Sequence, residues 1–151
     1  MTLQQLAYET SAQALREQER LLSDLRTRTG TLLTAASLVA SFLGARAVDL
    51  EGLSALNVIG GLSYLTTIAV SVYLLAPTPR LVFAIRGSEA FEYFVEHGAD
   101  LDEAHRTLSY WIDRQHGTNK LRIDRLVVFF GIACAALLPE VVSWSVSLAL
   151  H

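Results

Sequence analysis

The sequence predicts an all-α integral membrane protein with about three transmembrane helices and cytoplasmic helical extensions. Two observations carry that class. The 151-residue chain is 52% hydrophobic and only 18% charged, with a mean hydropathy of +0.36, too apolar for a small soluble domain. Its charge is also unevenly placed: residues 29–45 and 52–79 contain none, and 126–150 contain only Glu140. A charge near the bilayer centre costs about 2.5 to 3.5 kcal/mol on insertion scales, and about 20 helical residues cross the hydrocarbon core. Two charge-free stretches and a third holding a single carboxylate therefore predict three spans.

Residues 1–28 predict an amphipathic helix, apolar at Leu3, Leu6, Ala7, Ala14, Leu15, Leu21, Leu22 and Leu25. Its polar face permits i,i+4 pairs of Arg20 with Asp24 and Asp24 with Arg28. The helix is expected to run unbroken into span one, residues 29–48, which ends near Arg46, whose side chain can reach the headgroups. Asp49, Glu51 and Gly52 mark a turn. Span two, residues 53–76, stops at Pro77-Thr-Pro79, where proline supplies no amide proton.

Residues 80–125 mix seven basic with eight acidic residues and so belong in water. Gly87 and Gly98 delimit a short helix over 88–97. Asp100, followed three residues later by Glu103, resembles a capping box opening another helix with Leu101, Ala104, Leu108, Trp111 and Ile112 on its apolar face. Gly117 is expected to interrupt that helix, which restarts near Thr118 and continues into span three, residues 126–150.

Arg16, Arg20, Arg26 and Arg28 precede span one, Arg80 and Arg86 follow span two, and Lys120, Arg122 and Arg125 precede span three. The loop between spans one and two offers only Arg46. The positive-inside rule then places the N-terminus and residues 80–125 in the cytoplasm and the C-terminus outside.

Chemistry-bearing motifs are sparse. His97, His105 and His116 do not share a helix face, and the lone Cys134 lies in an apolar stretch, so no metal site is expected. No phosphate loop, dinucleotide fingerprint or nucleophile elbow occurs, so neither an enzyme nor a cofactor is expected. A net charge of −3 without a basic block argues against a nucleic acid polymer as partner.

Small residues align along each span: Gly30, Thr34, Ser37 and Ser41; Gly60, Ser63, Thr67 and Ser71; Gly131, Ala135, Ser143 and Ser147. Such stripes pack helices within one subunit or meet other subunits. Glu140, beside Pro139 in span three, is an intramembrane functional candidate by default, or a carboxylate that snorkels to the outer leaflet or is held protonated. Proline frees a carbonyl one turn earlier and is expected to loosen the helix there.

In the water-exposed segment, Tyr93, Phe94, Tyr110 and Trp111 accompany Arg86, Arg106, Arg114, Lys120 and Arg122, a combination able to stack a base and grip phosphate, or simply to pack and solvate a helical domain. The ligand-binding or coupling candidates are Arg106, Trp111, Asn119, Lys120 and Arg122. The last three belong to a polar collar that can equally serve as an interfacial anchor.

Three features in order resemble the transmembrane effectors of the bacterial pyrimidine cyclase (Pycsar) antiphage system and, in part, the related SLATT effectors. They are a charged helix end running into a small, apolar span (Asp24-Leu-Arg-Thr-Arg28-Thr-Gly30), a span closing on proline and arginine (Ala76-Pro-Thr-Pro-Arg80-Leu-Val-Phe83), and a collared helix feeding the last span (Asn119-Lys-Leu-Arg-Ile-Asp-Arg125). In that family the acidic and basic residues before span one lie two apart; here Asp24 and Arg28 lie four apart. The resemblance implies an inner-membrane homo-oligomer that senses a nucleotide or infection signal, with a cyclic nucleotide as ligand, and then impairs the membrane. The alternatives are an anchor or adaptor for a soluble partner and a small ion channel.

Overall fold

In a computed structural model, residues 2–51, 54–77, 81–83 and 87–150 are described. Every regular element among them is a helix: α1 (Leu3–Val39), a π-helical turn (Ala40–Gly44), α2 (Ala45–Glu51), α3 (Ala55–Leu75), α4 (Gly87–Glu96) and α5 (Leu101–Ala149). Three helical stretches, Leu3–Leu50, Ala55–Leu75 and Leu101–Ala149, are long and apolar enough to cross a membrane. Gly52, Leu53, Pro79, Arg80 and Arg86, which entered the reading of turns and orientation, lie outside the described residues.

The chain divides into two units. The first comprises Met1–Ser23 and Thr78–Asp124. In it α1 and α5 run parallel, because their cross-contacts keep a nearly constant offset. Thr2 donates to Asp102 at 2.9 Å, Ser11 to Asp113 at 2.7 Å and Gln18 to the His116 carbonyl at 3.0 Å, residues 100, 102 and 98 apart. Leu15, Leu22, Ile112 and Ile123 are buried. α4 has no buried residue, and it ends at Gly98, whose φ of +59° is the left-handed conformation glycine adopts most readily. Asp100 then accepts the Glu103 amide at 2.7 Å and caps α5.

The second unit comprises Asp24–Pro77 and Arg125–His151. Here the three spans run up, down and up. Asn57 on α3 donates its side-chain amide to the Ala47 carbonyl and accepts from Ser147 on α5. The Trp144 indole meets both Gly44 and Gly60, and Tyr73 meets Phe129 edge-on with ring centroids 5.1 Å apart. As numbers rise along α3, their partners fall along α5 and α2, so α3 is antiparallel to both.

This unit buries polar residues among apolar ones and is apolar outside. Thr29, Asn57, Thr67, Ser71, Glu140, Ser143 and Ser147 are buried, while Val58, Ile59, Leu62, Leu65, Val128, Ile132, Leu138 and Val142 are exposed. In water such an apolar surface would be a liability; in hydrocarbon it is the lipid contact. With no hydrophobic drive between helices in lipid, close packing and hydrogen bonds hold the bundle.

A seven-residue repeat underlies the packing on α5, where Ile112, Asn119, Leu126, Ala133, Glu140 and Ser147 are all buried. On α1 the buried line Ser11, Leu15, Gln18, Leu22, Leu25, Thr29 obeys the same spacing. It continues seven residues on to Ala36, and then eight to Gly44. The π turn, in which the Ala45 amide bonds to the Ala40 carbonyl, absorbs that extra residue and keeps Gly44 under Trp144.

Two local expectations are corrected. Gly117 does not interrupt α5: a glycine costs about 1 kcal/mol in a helix, too little to break one of 49 residues. Asp49 and Glu51 do not form a turn but lie in α2, which carries the first helical stretch to Glu51. α5 also runs through Pro139, where Ser143 donates its hydroxyl to the Pro139 carbonyl. Of the two allowed charge pairs before span one, Asp24–Arg28 closes at 2.8 Å.

Candidate functional site

The five candidates of the water-exposed segment do not converge. Trp111 and Lys120 lie nine residues apart, about two and a half turns of helix, and so project from opposite faces of α5. Lys120 is exposed, Arg122 half-buried and engaged elsewhere.

Asn119 is committed to structure. It is fully buried and brackets one residue of the extended stretch Leu81–Phe83: the Val82 amide donates to its Oδ1 at 3.4 Å, and its Nδ2 donates to the Val82 carbonyl at 2.8 Å. A side-chain amide satisfies both backbone groups of a residue that has no strand or helix partner. With both ends of its amide occupied, Asn119 is spent on the backbone rather than offered to a ligand.

Arg106 lines a substantial cleft, about 740 Å³ between α1 and α5 of the first unit. Leu3, Leu6 and Ala7 form an apolar wall, opposite Arg106, Tyr110 and His116. Arg106 is held only loosely: its guanidinium lies 3.7 Å from Glu103 and is 62% exposed, so this ion pair contributes little and leaves Arg106 free to rearrange. A smaller hollow on its other side is lined by Asp100, Asp102, Glu103 and Gln4. An anion at Arg106 would therefore be favoured on the Tyr110 side, away from those carboxylates. No protein family, curated protein or solved structure matches this chain. Its chemistry must be read from the site itself.

The cleft also draws in Ser11, Asp113 and His116, which the motif search passes over. The Ser11 hydroxyl holds Asp113, and that contact depends on α1 lying beside α5 at an offset only the fold defines. The available signal was the polar residues Ser11 and Gln18 on an otherwise apolar seven-residue line.

Glu140 is the second candidate. Its exposure is 0%, and neither carboxylate oxygen has a hydrogen-bond partner among the described residues. The register gives its depth. Trp144, one turn later on α5, meets Gly60 and Gly44, so Glu140 lies level with Tyr64 and Ala40. Tyr64 is next to the midpoint of α3 (Ala55–Leu75), roughly 15 Å from either end at about 1.5 Å per residue. A glutamate side chain cannot snorkel that far, which removes the outer-leaflet reading.

The three glycines of the presumed packing stripes separate. A methyl group at Gly60 would lie 2.5 Å from Trp144 Nε1, whereas at Gly30 or Gly131 it would meet nothing within 4 Å. Gly60 is a genuine close approach inside the subunit; Gly30 and Gly131 are not. The hydroxyls of Thr34, Ser37 and Ser41 turn back to carbonyls of their own helix.

Proposed function

We propose that this chain is a membrane-resident effector that senses a nucleotide or other infection signal through its first unit and oligomerises or rearranges to impair the integrity of a bacterial inner membrane. The observation that supports this reading is the cleft of the first unit. Its volume is that of a small-molecule site, with an apolar wall, an aromatic ring 71% exposed at Tyr110 and a guanidinium available to phosphate at Arg106. Arg106 and Tyr110 lie one turn apart on α5, the helix whose distal part is the third span. A base on Tyr110 and a phosphate on Arg106 use the stacking and charge-assisted bonding these side chains provide.

The test is dye release from liposomes bearing the purified protein, with and without a panel of cyclic nucleotides. Leakage is expected with at least one of them. Arg106→Ala should raise the concentration required by about tenfold to a hundredfold, the loss of one charged hydrogen bond. Absence of ligand-dependent leakage across the panel refutes the reading.

An anchor or adaptor role is favoured by a different feature, α4. Phe91 and Val95 are exposed one turn apart on a helix with no buried residue, which is how a helix awaiting a soluble partner would look. Leakage without a partner distinguishes the two.

A further inference from the structure

We infer that Glu140 is an intramembrane proton-binding site at the centre of the three-span bundle. The inference rests on the membrane placement of the spans and is independent of the effector reading. A buried polar group without a partner costs free energy that native structures rarely leave uncompensated. Glu140 is such a group twice over, since both its oxygens are enclosed and unbonded among the described residues.

The missing partner is neither water at the membrane surface, which is too distant, nor lipid or a second copy, because the side chain is wholly enclosed within a single chain. Nor is it a fixed charge, for spans 29–45, 55–75 and 126–150 contain no lysine, arginine or histidine. Their other titratable groups are Tyr64, Tyr73 and Cys134, none a source of positive charge. The unpartnered neutral donors of the same unit, Ser71 Oγ and Trp144 Nε1, make no hydrogen bond to it, and the partner we assign is a small cation bound directly by the carboxylate.

A metal cation requires a shell of several oxygen ligands; the Thr67 and Ser143 hydroxyls are oriented toward the Ser63 and Pro139 carbonyls of their own helices, and the unpartnered Ser71 Oγ lies seven residues, about 10 Å, along α3 from the level of Glu140. A proton requires no shell and leaves a neutral acid, the least costly form of this residue in hydrocarbon. Binding is a plain acid–base step: a hydronium ion gives its proton to a carboxylate oxygen and leaves as water. The Ala40–Gly44 π turn begins at the same level, and such turns place a wider, more deformable stretch of helix beside functional groups.

Infrared spectra of the full-length protein in phosphatidylcholine–phosphatidylglycerol vesicles at neutral pH test this. The wild type should show one carboxylic-acid carbonyl band that shifts in D2O, is lost in Glu140→Gln and moves in Glu140→Asp. It should be indifferent to exchange of sodium for potassium or choline. Carboxylate bands assigned to Glu140 overturn the inference, as does a signal that responds to the metal cation supplied. The D2O shift of the wild-type band reports the acid, and its loss or movement in whichever of Glu140→Gln and Glu140→Asp inserts and melts like the wild type assigns it. A protein that releases no dye with any nucleotide would still show the band, so the two readings fail separately.

Discussion

Asn119 and Gly60 each make a contact whose removal has a definite consequence. Asn119→Leu would remove both hydrogen bonds to the backbone of the exposed Val82, each worth about 0.5 to 1.5 kcal/mol. The variant is expected to melt earlier in detergent micelles and to expose the 81–83 stretch to protease, while still inserting. At Gly60 the argument is steric. Alanine there drives a methyl group into the rigid indole of Trp144, an overpacking typically worth about 1 to 3 kcal/mol. Gly30→Ala and Gly131→Ala meet open space and gain about 1 kcal/mol of helix propensity. Thermal unfolding of the three variants should therefore show one loss and two small gains; a loss at all three would mean that the exposed glycines are covered in the assembled protein.

Among the elements, the π turn of span one is the one whose purpose can be tested by deletion. Ala36 and Gly44 are eight residues apart on a line that otherwise advances by seven. Deleting the exposed Ser41 should convert the π turn into an α turn without moving Gly44 off the core line, and insertion and melting should match the wild type. Deleting Thr34 instead rotates the segment from Thr34 to the π turn by about 100°, carrying Ala36 off the packed face. Equal tolerance of both deletions, read by melting and by membrane extraction, would show that the register of this helix is unimportant. α5 teaches the complementary point: Gly117 marks a break when read locally, yet a long packed face carries the helix through it and on through Pro139.

For the whole molecule the central quantity is topology. From the odd span number and the distribution of arginine and lysine we propose that the N-terminus and α4 face the cytoplasm and the C-terminus lies opposite. Gln13, Glu92 and Ala149 are exposed positions suited to cysteine labelling in a Cys134→Ala background. An impermeant thiol reagent applied from outside should modify only the cysteine at 149; modification at 92 would invert the orientation, and with it the side from which any signal could reach Arg106.

Charge placement alone determined the helical membrane class. A charge in hydrocarbon is so costly that three long stretches holding only one carboxylate between them leave few alternatives, and this penalty is local to each stretch. The Asp100 cap and the Asp24–Arg28 pair were legible for the same reason, being contacts between residues three and four apart. Only the tertiary structure decided that Asn119 serves Val82, that Gly60 rather than Gly30 or Gly131 is the close approach, that Arg106 lines a cleft between α1 and α5, and that Glu140 lies level with the middle of α3. The seven-residue line joining Asn119 and Glu140 is present in the sequence, but polar residues at core positions disguise it. Each of those facts depends on which helix lies opposite and at what offset. Such offsets are set by the summed packing of residues tens to a hundred positions apart, which no local pattern records.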